Sequence, residues 1–429
     1  MSHSTDIGSP GGSPEFRDPA DLAAESARIY DICAGCRRCY NLCPSFTHLL
    51  DAIDGHDGEI QALSAAEDRR TVDLCFGCKL CYPLCPYTPP HRWGVDFPLL
   101  MQRAKVVRAD REGIPLRDRL LGNPELLGRL GSAFPRVANW ANRNRLLRWG
   151  MEKTLGVDRR RRLPRYGRRF SRWFRRQTPP PGVGRSGRVA LFYTTPVEFN
   201  APDVGVAAVR VLWRNGVEVT CPPQVCCGMP ALDGGDVAGA TRRARRNLES
   251  LGRAVAAGCD VVVPGPSCSR MLKHEYPRLV PGPATEQVVA RVHDLSQYLV
   301  KLHGEGKLER TFAAPLGRVA YHAPCHLRVQ EIGFKARDVL LLVPGTTVGV
   351  LERCTGMDGT WGFKNEFYDA SLAVARPLLR ELDAIRPDLV VSDCPLAALQ
   401  IEQARGAPVY HPVEALLAAY EGRALRSAA

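Results

Sequence analysis

Two stretches of this chain carry the same spaced thiols. Residues 33–43 read CAGCRRCYNLC and residues 75–85 read CFGCKLCYPLC, and a proline follows each, Pro44 and Pro86. Both spell C-x2-C-x2-C-x3-C-P. Three thiolates this close can hold three irons of one cubane, while the fourth points away and serves a neighbouring cluster. The spacing therefore predicts two [4Fe–4S] clusters with exchanged ligands. Cys33, Cys36, Cys39 and Cys85 form one set, and Cys75, Cys78, Cys81 and Cys43 the other. Zinc sites use four ligands in paired spacing, and two identical four-cysteine runs exceed that need. The proline after the fourth cysteine is expected to end the local helix and turn the chain. Such clusters shuttle single electrons. Lys79, Arg37 and Arg38 lie among the ligands and are expected to ease reduction by stabilising the more negative reduced state.

These loops need elements to hold them. Asp18-Pro19 suits the N-cap and first position of a helix running towards Tyr30. Residues 57–73 read as a helix between the cysteine runs. The 31 residues separating Cys43 from Cys75 suit a helical ferredoxin domain, like that of fumarate/succinate reductases and heterodisulfide reductases, over 18–100. Residues 101–177 look helical, amphipathic and rich in arginine, and TPPPGVGRSG (178–187) is a Pro/Gly linker. The Ser/Gly/Pro-rich residues 1–17 read as a disordered tail. Beyond the linker the chain repeats itself. Residues 188–310 contain GRVALFYTTP, VCCGM, DVVVPGPSC and VHDLSQYL, and residues 311–429 contain GRVAYHAPC, RCTGM, DLVVSDCPLA and VYHPVEAL in the same order. Short β-branched runs (Val189–Tyr193, Val261–Val263, Val319–Tyr321, Leu389–Val391) alternate with helical stretches such as 237–257 and 368–386. The expected fold is α+β and multidomain: an α-helical double-cluster ferredoxin domain, a basic helical segment at 101–187, and two repeated α/β modules with parallel sheets and cysteines at strand ends.

VCCGM with PSC at 266–268, repeated in the second copy, resembles the cysteine-rich CCG domain. A helical double-cluster ferredoxin followed by two such domains resembles the C-type iron–sulfur subunit of anaerobic glycerol-3-phosphate dehydrogenase, the glycolate oxidase iron–sulfur subunit and the heterodisulfide reductase D-type subunit. The likeness covers nearly all of residues 20–420, and TGMDGTWGFKNEFYDAS (355–371) is most similar to the glycerol-3-phosphate dehydrogenase type. A complete CCG motif supplies five thiols; here three survive per copy. Cys226, Cys227 and Cys268 remain in the first, with Thr194-Thr195 and Gly265 in place of the others. Cys325, Cys354 and Cys394 remain in the second, with Thr355 and Ala397 as replacements. Threonine is a hard, high-pKa donor and does not stand in for a thiolate on iron. Three uses of these six thiols stay open: a third iron–sulfur cluster or other metal where the copies face each other, a scaffold with buried thiols, or a dithiol redox site. Cys221 and Cys259 match no repeat position and read as structural. His322 and His326 beside Cys325, and His411, read as hydrogen-bonded scaffold. Gly356, Gly359 and Gly362 read as letting backbone approach a site rather than as a phosphate loop.

The resemblance implies an electron-transfer subunit. A flavoprotein dehydrogenase would donate electrons, and a membrane quinone or other acceptor would receive them. The alternative it implies is a heterodisulfide reductase-like enzyme acting at an additional cluster or dithiol in the modules. No flavin fingerprint precedes a helix in a βαβ context, so the dehydrogenase lies elsewhere. The net charge of +13 is concentrated: 24 Lys/Arg and six Asp/Glu fall between Arg103 and Arg188, and the rest of the chain sums to −5. In residues 143–176 arginines lie beside Trp149, Tyr166, Phe170, Trp173 and Phe174, a pattern that binds anionic membrane surfaces or docks an acidic subunit, with nucleic acid set aside because of the adjoining clusters. Trp93 and Trp140 are expected in the core. Sixteen cysteines in C-x-x-C runs, with no export signal and no apolar span, suggest a reducing compartment: cytoplasmic, or peripheral on the inner face of the cell membrane.

Overall fold

The computed structural model describes residues 14–425. Most of the expected tail, residues 1–13, lies outside them. Pro14–Arg17 is instead a short helix. Its Phe16 is buried beneath the Arg103 guanidinium, 5.3 Å from the ring centre. Asp18 caps the helix Pro19–Cys36 by accepting a hydrogen bond from the Ala20 N–H at 3.0 Å. The helix runs past Tyr30 and delivers Cys33 and Cys36 in its last turn. Of the stretch 57–73, expected to be one helix, only the part from Ala65 onward is α-helical, in the helix Ala65–Leu74. Ser64 and Glu67 start it with a reciprocal capping box, two otherwise orphaned N–H groups being satisfied at once.

Helices Pro19–Cys36, Pro44–Gly55, Ala65–Leu74 and Phe97–Glu112 enclose a core of Ile29, Phe46, Leu49, Leu50, Ile53, Val72, Leu100 and Met101. Phe97–Glu112 crosses the boundary expected at residue 100, because Leu100 and Met101 belong to this core and its last turns carry the basic segment's first charges. Residues 113–155 form four short helices, Leu116–Leu121, Pro124–Ala133, Pro135–Ala141 and Arg145–Leu155. Residues 156–169 are irregular rather than helical; Gly156 at φ 58° ends the last helix.

Two parallel sheets follow. β1 (Gly187–Leu191), β2 (Val217–Thr220), β3 (Asp260–Val263) and β4 (Val292–Asp294) take the order β2-β1-β3-β4. β5 (Gly317–His322), β6 (Thr346–Leu351) and β7 (Leu389–Ser392) take the order β6-β5-β7, and a parallel bridge from Val391 to Tyr410 marks the place of a fourth strand. The registers repeat: Gly187 pairs with Val217 as Gly317 pairs with Thr346. Val237–Ala256 and Tyr368–Ile385 are helices much as their patterns predict. The modules are not separate beads. Val204, Ala207 and Val211 of helix Pro202–Arg214 share one core with Val413, Leu416, Leu417 and Tyr420 of helix Pro412–Glu421. Burying side chains of this size stabilises by about 1.5–3 kcal/mol each.

Candidate functional site

Each cysteine run folds the same way. A helix ends near the first cysteines, Cys33 and Cys36 in one run and Cys75 as the C-cap of Ala65–Leu74 in the other. The residue after the second cysteine then takes positive φ, Arg37 at 54° and Lys79 at 59°. This left-handed step costs a side-chain-bearing residue about 1–2 kcal/mol, and it curls the loop so that three thiols face inward. The fourth cysteines go elsewhere. Cys43 is the N-cap of Pro44–Gly55, so Pro44 begins a helix rather than ending one; at the first position its missing N–H costs nothing. Cys85 follows the short helix Cys81–Leu84, and only here does the proline sit in a turn.

Two cavities result. One is lined by Cys33, Cys36, Cys39 and Cys85 with Ile32, Phe46, Leu50 and Val95. The other is lined by Cys43, Cys75, Cys78 and Cys81 with Phe46, Phe76 and Phe97. Burial, then crowding by neighbouring thiols, pushes Cys33 up to about 12 and Cys39 up to about 11. Burial likewise pushes Cys43 up to about 12, and Cys78 and Cys81 well above their ordinary value. Crowded thiols in apolar cavities resist losing their protons unless a cation takes their place, so this donor set fits an iron centre. N–H groups already point at sulfur, as Tyr87 N does at Cys85 Sγ, 3.4 Å away.

The two cavities differ in surroundings. Arg37 and Arg38 are exposed beside the first, and Arg37 is paired with Asp54. The second is covered. Lys79 is buried in an ion pair with Glu275 of the first module, which Arg270 also holds. Burial alone would raise the Glu275 carboxyl, but Lys79, Arg270 and Arg278 together hold it far below the carboxylate range. Lys79 and Arg37 are expected to ease reduction of the clusters as nearby positive charges. Both have carboxylate partners, and Lys79 is a buried tether between domains. On the other side Phe76 packs on Trp361 at 4.9 Å, Trp361 stacks on Phe367 at 4.8 Å, and the Trp361 indole N–H donates to Asp73 O at 2.9 Å. Cys43, Cys78 and Cys354 border this apolar bridge.

The six remaining motif cysteines gather as two threes. In the first module Cys226 and Cys227 sit in the turn after β2 and Cys268 in the helix Pro266–Arg270, with Cys227 and Cys268 sulfurs 3.3 Å apart. In the second, Cys325 interacts electrostatically with Cys354, Cys394 and Cys78, and Cys78 with Cys354. Burial pushes Cys354 and Cys394 each up to about 11. The copies do face each other: His326 Nδ1 meets Ser267 Oγ at 2.8 Å and His411 Nε2 meets Pro264 O at 2.8 Å. All three histidines are hydrogen-bonded scaffold, His322 bridging Ser392 and Arg353. Cys259 packs within the apolar core and Cys221 at its edge. At Gly356, φ 68°, an added Cβ would lie 2.1 Å from Ser371 O, so backbone meets backbone there. Sequence reasoning missed Asp358, buried beside Cys325, and Asp233, half-buried near Gly77; a lone aspartate next to glycines gives no signal.

The basic segment divides. Phe170 is wholly buried in the core of the first module, with Trp173 and Phe174 packed against it. Arg161 is buried, bonding Gln400 and Ser371, and Arg148 donates to the Asp158 and Arg161 carbonyls. Phe170, Trp173, Phe174 and Arg161 pin the segment to the modules, and Arg148 braces the segment internally. The exposed apolar face lies earlier: Leu130 is 65%, Phe134 72%, Trp140 60% and Leu146 79% exposed. Trp93 and Trp140 are therefore surface residues and not core, since the short helices pack on one side only. None of the described helices is long and apolar enough to cross a membrane.

The family model for the Citrate utilization protein B Fer4-like domain matches residues 26–111, and the model for the Cysteine-rich domain matches twice, at 189–273 and 319–402. Helical loops of spaced cysteines joined to two such repeats define an iron–sulfur protein of the oxidoreductase, electron-transport class. The C-type subunit of anaerobic glycerol-3-phosphate dehydrogenase from Escherichia coli (strain K12) is 30% identical over 321 residues, covering 74% of this chain and 80% of that one. The B-type subunit of fumarate reductase (CoM/CoB) from Methanothermobacter marburgensis is 31% identical over 52% of this chain and 43% of its own, and lactate utilization protein A of Geobacillus kaustophilus 34% over 41% and 75%. The chain belongs to the family of the C-type subunit of anaerobic glycerol-3-phosphate dehydrogenase.

Proposed function

We propose that this chain is an electron-transfer subunit with two [4Fe–4S] clusters, one on Cys33, Cys36, Cys39 and Cys85 and the other on Cys75, Cys78, Cys81 and Cys43. The carrying observation is that two apolar cavities each gather three thiols of one run and the fourth of the other. Bound clusters supply one-electron carriers of tunable potential. A partner flavoprotein dehydrogenase docks near the first cavity, whose rim of Arg37 and Arg38 is exposed. Electrons leave from the second cavity, which both modules cover, towards a membrane quinone or other acceptor. Anaerobically purified chain should hold about eight irons and eight sulfides in this domain. Cys36→Ser and Cys78→Ser should each remove a different signal from the reduced spectrum in electron paramagnetic resonance. Colourless protein, or a metal content made of zinc, would end this reading.

The acceptor side is a lipid surface. Leu130, Phe134, Val137, Trp140, Leu146 and Trp149 are exposed on consecutive short helices, and Arg136, Arg143 and Arg145 are exposed among them. Aromatic and aliphatic side chains edged with arginine enter the headgroup boundary of anionic bilayers. The intact chain should float with phosphatidylglycerol vesicles and less with phosphatidylcholine, and Phe134→Glu with Trp140→Glu should abolish flotation with cluster absorbance unchanged. Flotation undiminished in that variant, or none by the unaltered chain, sinks the membrane assignment.

A further inference from the structure

The helical cysteine domain keeps nearly all its large apolar side chains inside. Among the described residues up to Glu112, three stay exposed: Tyr82 at 37%, Leu84 at 39% and Trp93 at 38%. All three flank the first cavity. Tyr82 and Leu84 sit on the short helix Cys81–Leu84, just before Cys85, which lines that cavity. Trp93 reaches the same place from the far side of the following loop. Its ring packs on Tyr87 at 4.6 Å, and Tyr87 lines the cavity too. Pro83, Pro86, Pro89 and Pro90 are exposed between them. The second cavity is instead covered by the modules, through Lys79 with Glu275 and Phe76 with Trp361.

The loop that carries Trp93 is tied down. The Val95 N–H donates to the Tyr87 carbonyl at 2.8 Å and closes the base, while the His91 and Gly94 N–H groups donate within the loop, each at 2.9 Å. From helix Pro19–Cys36 the Arg28 guanidinium donates to the Trp93 carbonyl at 2.7 Å. An aromatic side chain fixed in advance loses little freedom when it is covered, and such anchors carry most of the energy of a protein interface. Two cations edge the collar. Arg38 is exposed and its charge bears on Cys39 and Cys85; Arg92 is exposed with its guanidinium 5.7 Å from the Trp93 ring centre. No carboxylate pairs with either among the described residues. On the Tyr82 side the charge of Glu331, an exposed residue of the second module, bears on the ring. An anionic bilayer is repelled by that carboxylate. A protein can set carboxylates opposite the arginines and leave Glu331 in water or pair it.

We propose that Tyr82, Leu84 and Trp93, edged by Arg38 and Arg92, form the docking face for the electron-donating protein, with Trp93 as its anchor. The partner this face fits carries its own redox group and sets carboxylates around it. The inference rests on the electron-transfer reading and names where the donor meets the chain. Full-length chain carrying Trp93→benzoylphenylalanine is made in its source organism, illuminated, and its adduct identified by mass spectrometry. The expected adduct is with a protein that holds flavin or an iron–sulfur group. The same substitution at Leu341, exposed on the second module, should give no adduct with that protein. An adduct with lipid, with a second copy of the chain or with a protein lacking a redox group overturns the assignment, and so does no adduct at all. The captured partner is then purified, and its reduction of the chain is followed by stopped-flow absorbance. Relative to reduction by dithionite, Trp93→Ser should slow it at least about tenfold, as loss of an aromatic anchor does. Leu341→Ser should leave that ratio unchanged. A chain without iron sinks the electron-transfer reading itself, whereas an iron-loaded Trp93→Ser chain reduced as fast as the unaltered one sinks the docking face alone.

Discussion

The two repeats share strand order, register and motif position, yet their surviving thiols live in different surroundings. In the first repeat Cys227 and Cys268 lie 3.3 Å apart among Ala240, Val263, Met271 and Leu272, and the Tyr276 hydroxyl donates to the Cys227 carbonyl at 3.0 Å. Their surroundings are those of an apolar core. In the second repeat the thiols border the second ferredoxin cavity, with Asp358 and His326 alongside. The same count of lost cysteines thus has two meanings. The first repeat grips the ferredoxin domain through buried ion pairs, and the second meets the same cysteine loop through His326 and Trp361.

The comparison can be broken most forcefully at the ionic grip. Glu275→Gln leaves Lys79 and Arg270 buried without a counter-charge, and should cost about 3–5 kcal/mol in denaturant unfolding. A loss under 1 kcal/mol would mean that the first repeat does not hold the second cavity closed. Next in size is a pair of thiol deletions. Cys227→Ala should cost about 1–2 kcal/mol as a small cavity, with metal content unchanged, whereas Cys354→Ala should lower metal content. Metal analysis beside thermal melts reads both, and the reverse pattern would exchange the roles of the repeats. Smaller again is an acid effect. Burial holds His322 and His411 each at about 4, below the ordinary histidine value. Unfolding therefore takes up protons between about pH 6.5 and 4, and the stability that neutral histidines provide above pH 6.5 is lost as pH falls through 4. His411→Asn, which keeps a cap acceptor for the Val413 N–H, should flatten the fall by up to about 1.4 kcal/mol per pH unit. Melts of both proteins across that window would check it. The smallest effect expected is at the exposed face: Trp140→Ser should change stability by no more than about 0.5 kcal/mol.

Much of this architecture is readable in the chain itself. The cysteine spacing points to both cavities, Asp18-Pro19 to the first long helix, and the recurring motif order to the duplicated sheets. What escapes reading is non-local or ambiguous. β2, β4 and β6 are three to six residues long, and Glu218, His293 and Gly349 interrupt their apolar pattern. Pro44 can end one helix or begin the next, and only the Cys43 N-cap decides. Lys79 finds Glu275 across 196 residues, a pairing that no local pattern encodes. Trp140 has the hydrophobicity of a core residue and misleads until the thinness of its helical layer is known.

The helix Pro412–Glu421 closes the core beneath β1 and helix Pro202–Arg214. A growing polypeptide therefore cannot complete the core of its first α/β unit until residues 412–421 have been made. Until those residues are made, Val204, Ala207 and Val211 present an apolar face that this helix has yet to cover.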